Sequence, residues 1–138
     1  MDIIAEIKKL DLPAGKYVVV GSGPMAVRGL KDAHDIDLVI APEVFEHYRA
    51  AGWQVLPWTY ANHPGQDQVF LRQGILELYL DVNCGDFCPT LEELVRRADM
   101  ISGVAFASLP DTISFKRAYG REKHLRDVAV IEEYLKLK

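Results

Sequence analysis

Between Tyr17 and Ile40 the chain sets two wholly apolar runs around a glycine-rich turn and a short helical stretch, and nothing else in it restricts the fold as much. Tyr17-Val18-Val19-Val20 is continuous and β-branched, the pattern of a strand covered on both faces. It stops at Gly21-Ser22-Gly23. Pro24 to Lys31 then reads as a helix, since proline in a first turn gives up an N–H that has no partner there anyway. Ile36 to Ile40 is a second buried strand. Strands of this kind need helices above and below their sheet, which predicts an α/β domain with one mixed sheet and flanking helices.

The rest of the chain is consistent with that expectation. Ile3, Ile4, Ile7 and Leu10 give a short amphipathic helix, closed by Leu12-Pro13-Ala14-Gly15. Pro42 to Ala51 is a helix ended by Gly52, and Trp53 to Trp58 a short strand. Tyr60 to Asp67, with His63, Pro64 and Gly65, is a polar loop. Gln68 to Arg72 and Ile75 to Val82 form two strands around the turn Gln73-Gly74. Thr90 starts a helix running to Arg97, and Glu93 three residues on completes a capping box. Ile101 to Ala107 is the last strand. Two helices finish the chain, Asp111 to Tyr119 and Arg121 to Leu137, the second with Leu125, Val128, Ile131 and Leu135 on one face. With 138 residues and no repeat or linker, this is one domain, a core over 1–108 followed by C-terminal helices over 109–138.

Composition narrows the function classes. The net charge of −4 argues against a protein whose main task is to blanket nucleic-acid phosphates. No apolar run is long enough to span a bilayer, and the first ten residues mix charges with apolar residues, so a cytoplasmic protein without membrane contact is expected. Cys84 and Cys88 lack the two further ligands of a zinc site and read as ordinary thiols. The histidines at 34, 47, 63 and 124 show no ligand spacing. Trp53, Trp58 and Tyr60 fall close together and suggest an exposed contact for a protein partner or a second copy.

Chemistry concentrates at the turn and the second strand. Asp35 and Asp37, at i and i+2, point to one face, about 7 Å apart along the strand. Aspartates entering a buried strand are costly unless paired. A divalent cation, Mg²⁺ or Mn²⁺, is the natural partner, because carboxylate oxygens suit it and substrate phosphates complete its octahedron. Gly21 and Ser22 lie where backbone N–H groups and a hydroxyl meet an anion. In Leu76 to Val82 the side chains of Glu77, Tyr79 and Asp81 share a face. Asp81, in its apolar frame, is the expected third carboxylate, with Glu77 as its substitute.

In this order the features resemble the nucleotidyltransferase superfamily of the DNA polymerase β type. Val18-Val19-Val20-Gly21-Ser22 and Asp35-Ile36-Asp37-Leu38-Val39 match its Gly-Ser turn followed by Asp-x-Asp. The segment from Ile113 to Asp127 is similar to the Lys…Arg-x-Lys-Asp…Asp stretch of small bacterial members such as the AbiEii-like group, with His124 where those carry aspartate. The resemblance implies a nucleotidyltransferase-like fold and Mg²⁺-dependent transfer of NMP from an NTP to an acceptor hydroxyl, on a small molecule, RNA, tRNA or protein. It implies metal binding and catalysis by Asp35, Asp37 and Asp81, with Asp81 as possible base. Phosphate positioning falls to Gly21 and Ser22, with Arg28, Lys116, Arg121 and Lys123 as cationic clamps. Lys123 also has a helical ion-pair partner at i+4 in Asp127.

Two other readings follow from the same residues. The fold without the activity would serve as a binding or regulatory module, for example the partner of a toxin or antitoxin. Gly21-x-Gly23-x-x-Ala26 with Glu43 also imitates a dinucleotide-binding turn, although that leaves Asp35 and Asp37 without a role.

Overall fold

The computed structural model describes residues 1–58 and 68–138, so the whole of the expected loop at 60–67, with Tyr60 and His63, lies outside the described residues. In chain order the elements are α1 (Ile3–Lys8), β1 (Tyr17–Val20), α2 (Gly23–Ala26), β2 (Ile36–Ile40), α3 (Pro42–Ala50), β3 (Gln54–Trp58), β4 (Gln68–Gln73), β5 (Leu76–Tyr79), α4 (Leu91–Arg97), β6 (Asp99–Ile101), β7 (Val104–Phe106), α5 (Leu109–Tyr119) and α6 (Glu122–Lys136).

The strands form a mixed sheet in the order β3-β4-β5-β2-β1-β7-β6. β2 pairs parallel with β5 and β1 with β7, while β1 and β2 run antiparallel, with Val20 opposite Asp37. That last pairing removes the basis of the dinucleotide reading, which needs a parallel β-α-β crossover at this turn. Glu43 lies on α3 and pairs with Lys16 at 2.9 Å.

Both faces of the central strands are covered, which is why β1 is apolar throughout. Val19, Leu38 and Ile40 pack with Ile7 of α1 and Phe45 of α3. On the other face Val18, Val20 and Val39 meet Leu94 of α4 and Phe115 of α5. A third cluster ties α2, α5 and α6 together through Met25, Leu109 and Ile131. Each such fully buried side chain contributes about 2 kcal/mol. The two C-terminal helices therefore belong to the one domain.

Four elements depart from the sequence-based expectation. The helix after the turn stops short of Lys31, because Gly29 adopts φ +74°. There Leu30 N–H reaches Met25 O and Gly29 N–H reaches Ala26 O, a left-handed C-cap with Met25 and Leu30 in contact. The expected last strand is a hairpin instead, folded at Ser102-Gly103 with Ile101 opposite Val104. β5 ends at Tyr79, two residues before Asp81. Trp53 is a core residue at 9 % exposure and Trp58 faces a cavity, so neither forms the exposed aromatic contact. The capping box on α4 is present, with Glu93 N–H on Thr90 Oγ1 at 3.1 Å and Thr90 N–H on Glu93 Oε1 at 3.0 Å.

Candidate active site

A cavity of about 430 Å³ opens beyond the end of β1 and the start of β2, within the range of about 300–1,000 Å³ usual for small-molecule sites. It is lined by Gly21, Ser22, Asp35 and Asp37 from the turn and the start of β2, by Trp58 and Tyr79 of β3 and β5, and by Lys116, Tyr119, Arg121, Lys123 and His124 from α5, α6 and the elbow between them. The tight elbow at Gly120, φ +70°, brings the end of α5 and the first turn of α6 over the sheet. Most of the residues implicated by sequence thus meet around one space.

Asp37 is the most constrained of them. On β2 it lies opposite Val20 and beside Glu77 of β5. Gly21 presses so closely that a Cβ there would sit 2.6 Å from Asp37 Oδ2, and its φ of +68° suits glycine alone. Among the described residues Asp37 Oδ1 is buried without a hydrogen-bond partner. Burial pushes the carboxyl up to about 7, helped by the facing Glu77 and then by Asp35, against the opposing pull of Lys116. Gly23 has a separate task, since a Cβ there would meet Val19 Cγ1 at 2.5 Å. Gly21→Ala is expected to cost about 2 kcal/mol through backbone strain and the displaced carboxylate, and to abolish any cation-dependent thermal shift; scanning fluorimetry with and without Mg²⁺ reads both.

The third carboxylate differs from expectation. Asp81 lies past the end of β5, where its Oδ1 accepts the Asn83 N–H at 3.0 Å, and it is not part of the cavity wall. Its strand face was inferred from alternation, which holds only while the strand keeps pairing. Glu77, the substitute, is buried beside Asp37, but both its oxygens are engaged. Arg72 donates twice to Oε2, at 3.2 and 2.8 Å, and Tyr79 OH donates to Oε1 at 2.7 Å. Burial, with Asp37 and Glu77 adding, holds the Tyr79 hydroxyl far above its usual range, as a firm donor. Glu77 thus supports Asp37 from behind. The carboxylates on the wall itself are Asp32, Asp35 and Asp37; Asp32 carries no motif signal.

The cations also sort differently. Lys116 is 3 % exposed and donates to Asp127 Oδ2 at 2.9 Å, and Lys31 donates to the same oxygen at 2.7 Å. Asp127 is therefore claimed by Lys31 and Lys116, not by Lys123. Arg121 and Lys123 stand exposed at the cavity rim. Arg28 does not reach it: its guanidinium donates to Pro24 O and Asp99 Oδ2, both at 2.7 Å. On the same wall the His124 ring lies 4.9 Å from that of Tyr119. Burial, then Lys116 and Lys123, lowers His124 to about 4, so the imidazole is neutral at pH 7. Burial and then Asp37 hold the Tyr119 hydroxyl above its usual range, opposed by Arg121 and Trp58.

A divalent cation fits what these residues lack. The unpartnered Asp37 oxygen and the crowding of Asp35, Asp37 and Glu77 are both relieved by positive charge. Among the described residues no three carboxylate, histidine or cysteine side chains form a ready-made cage. A Mg²⁺ completed by substrate phosphates needs only one or two carboxylates from the protein. Compared with models of known protein families, with curated proteins and with solved structures, the chain gives no match.

Proposed function

We propose that the chain is a nucleotidyltransferase of the DNA polymerase β type, moving a nucleoside monophosphate from an NTP to an acceptor hydroxyl. The observation that carries this reading is Asp37. It is half-buried against Gly21 with its Oδ1 buried and unpartnered among the described residues, and it lines a cavity that Lys31, Lys116, Arg121 and Lys123 also line. A carboxylate so placed is expensive in isolation and suited to a site that takes a cation together with phosphates.

In this reading Asp35 and Asp37 hold the cation, and Gly21 and Ser22 hold phosphate oxygens at the turn. When bound, Mg²⁺ offsets phosphate charge and draws electron density from the α-phosphorus. The acceptor oxygen bonds to that phosphorus as the bridge to the β-phosphate breaks, and pyrophosphate leaves with the electron pair. Asp35, exposed at the cavity, takes the acceptor's proton. Lys116, Arg121 and Lys123 face the charge that accumulates on the leaving group.

The test is a thermal-shift screen of the four NTPs with and without Mg²⁺ or Mn²⁺, followed by assay of pyrophosphate release. Stabilisation that requires nucleotide and cation together, with pyrophosphate released when acceptors are supplied, is the expected result. No cation-dependent shift with any NTP would sink the reading and leave a scaffold that acts through a partner.

A further inference from the structure

Lys31 carries no motif signal, yet it shares a carboxylate with the most buried cation of the site. Lys31 follows the left-handed cap of α2, Lys116 lies on α5 and Asp127 on α6. Their only common point is Asp127 Oδ2, which accepts from both ammonium groups, at 2.7 and 2.9 Å. One negative charge there faces two positive ones. Each lysine has three N–H donors, and among the described residues each spends one on Asp127. Both lysines line the cavity, as do Arg121 and Lys123. Lys31 and Lys123 each repel the charge on Lys116, which burial already disfavours. A protein that gathers cations from three elements in one place relieves that repulsion when an anion of several charges arrives.

We infer that Lys31 and Lys116, tethered together on Asp127, form a receptor for a polyphosphate chain, in which Asp127 is the positioning residue that holds both ammonium groups at the cavity wall. This deepens the nucleotidyl-transfer reading by assigning the phosphate tail of the nucleotide, yet it requires neither the cation nor the reaction. A single phosphate would leave part of this wall unanswered, whereas successive phosphates reach from the lysine pair toward Arg121 and Lys123.

The experiment is calorimetric titration of the full chain with tripolyphosphate, orthophosphate and an NTP, in EDTA at low salt. Wild type should bind tripolyphosphate more tightly than orthophosphate. Lys31→Gln should weaken tripolyphosphate roughly tenfold, as loss of one charged hydrogen bond implies, and Lys31→Arg should restore it. Lys31 is a third exposed and Lys116 still pairs Asp127 in the variant, so Lys31→Gln should melt within a few degrees of wild type. Tighter binding of the NTP than of tripolyphosphate assigns the receptor to a nucleotide, and the reverse to free polyphosphate. No binding by wild type, equal affinity for orthophosphate, or wild-type affinity in Lys31→Gln overturns the inference. Because the probe contains no nucleoside and no metal, its failure is distinct from failure of the transfer reaction, which the cation-dependent screen reads separately.

Discussion

Asp37→Asn is expected to produce a protein that melts later than wild type above pH 7 and loses nearly all of the proposed nucleotidyl transfer. The folded carboxyl titrates at about 7 against 3.8 for the ordinary side chain, chiefly because it is buried. Between those values the folded state keeps a proton that the unfolded state has released. The contribution of Asp37 to the stability of the metal-free wild type is therefore fullest below pH 4, falls as pH rises through 7, and levels off above it. Asparagine carries no charge to strand in that position and preserves the side-chain shape, so this slope should vanish. The gain above pH 7 is about 2–4 kcal/mol, or several degrees in Tm for a domain of this size. Calorimetry at pH 5, 6, 7 and 8 measures it. An unchanged pH slope in Asp37→Asn would place the proton elsewhere. On the proposed nucleotidyl transfer, turnover should fall roughly a thousandfold, about 4 kcal/mol of barrier, because the variant loses the proposed cation ligand. Added Mg²⁺ with NTP should accordingly stabilise wild type and leave the variant unmoved.

The elements that were legible in the sequence are those written in local chemistry. β1 and β2 announce themselves as unbroken apolar runs, and both are buried on the two faces of the sheet. The capping box at Thr90 and Glu93 likewise depends on residues within a few positions of each other, whereas of the expected α6 stripe only Val128 and Ile131 are buried and Leu125 and Leu135 stay exposed. Gly21 and the Asp35–Asp37 pair belong with the capping box, since a turn and an i, i+2 spacing are local facts that the fold then juxtaposes.

What escaped the sequence is what depends on partners far along the chain. Glu77, Tyr79 and Asp81 alternate alike, but only register tells that pairing with β2 stops at Val39 and Tyr79. Beyond that point Asp81 turns to its own backbone. The helical pair Lys123–Asp127 was a sound local reading that lost to partners 96 and 11 residues away. Burial decides that contest: an acid inside the fold binds the cations brought to it there, while Lys123 stays in water. Arg28 shows the converse, drawn by Asp99 on the edge strand β6, which starts two residues before the single strand expected from Ile101 to Ala107. Gly29 and the Ser102-Gly103 turn were local stop signals overlooked, and Gly29 takes Lys31, which lines the cavity, off a helix.

Asp127→Ala is expected to have the largest effect on folding of any change outside the core. It leaves Lys116, 3 % exposed, as an ammonium group without its carboxylate. Breaking a buried pair from one side costs about 3–5 kcal/mol, a large share of the stability of a domain this size. The loss should depend on pH in a direction that identifies its cause. Burial already lowers the Lys116 ammonium below its usual range, and Asp127 is the main group that opposes the shift. Without Asp127 the folded state sheds that proton at a lower pH, while the unfolded chain still holds it. The unfolded state then binds more protons over that interval, so stability of the variant rises with pH from 7 toward 9.5 relative to wild type. Denaturant unfolding at pH 7, 8 and 9 measures this. A pH-independent loss would mean that Asp127 matters only through packing of α6. Lys116→Met in the same background removes the stranded charge and should recover much of the stability, while leaving the cavity without its central cation. Fold and site are thereby separable at one position. Asp127 fastens the last helix to α5 and to the turn after α2, and the same carboxylate favours the charged form of a buried lysine that lines the cavity.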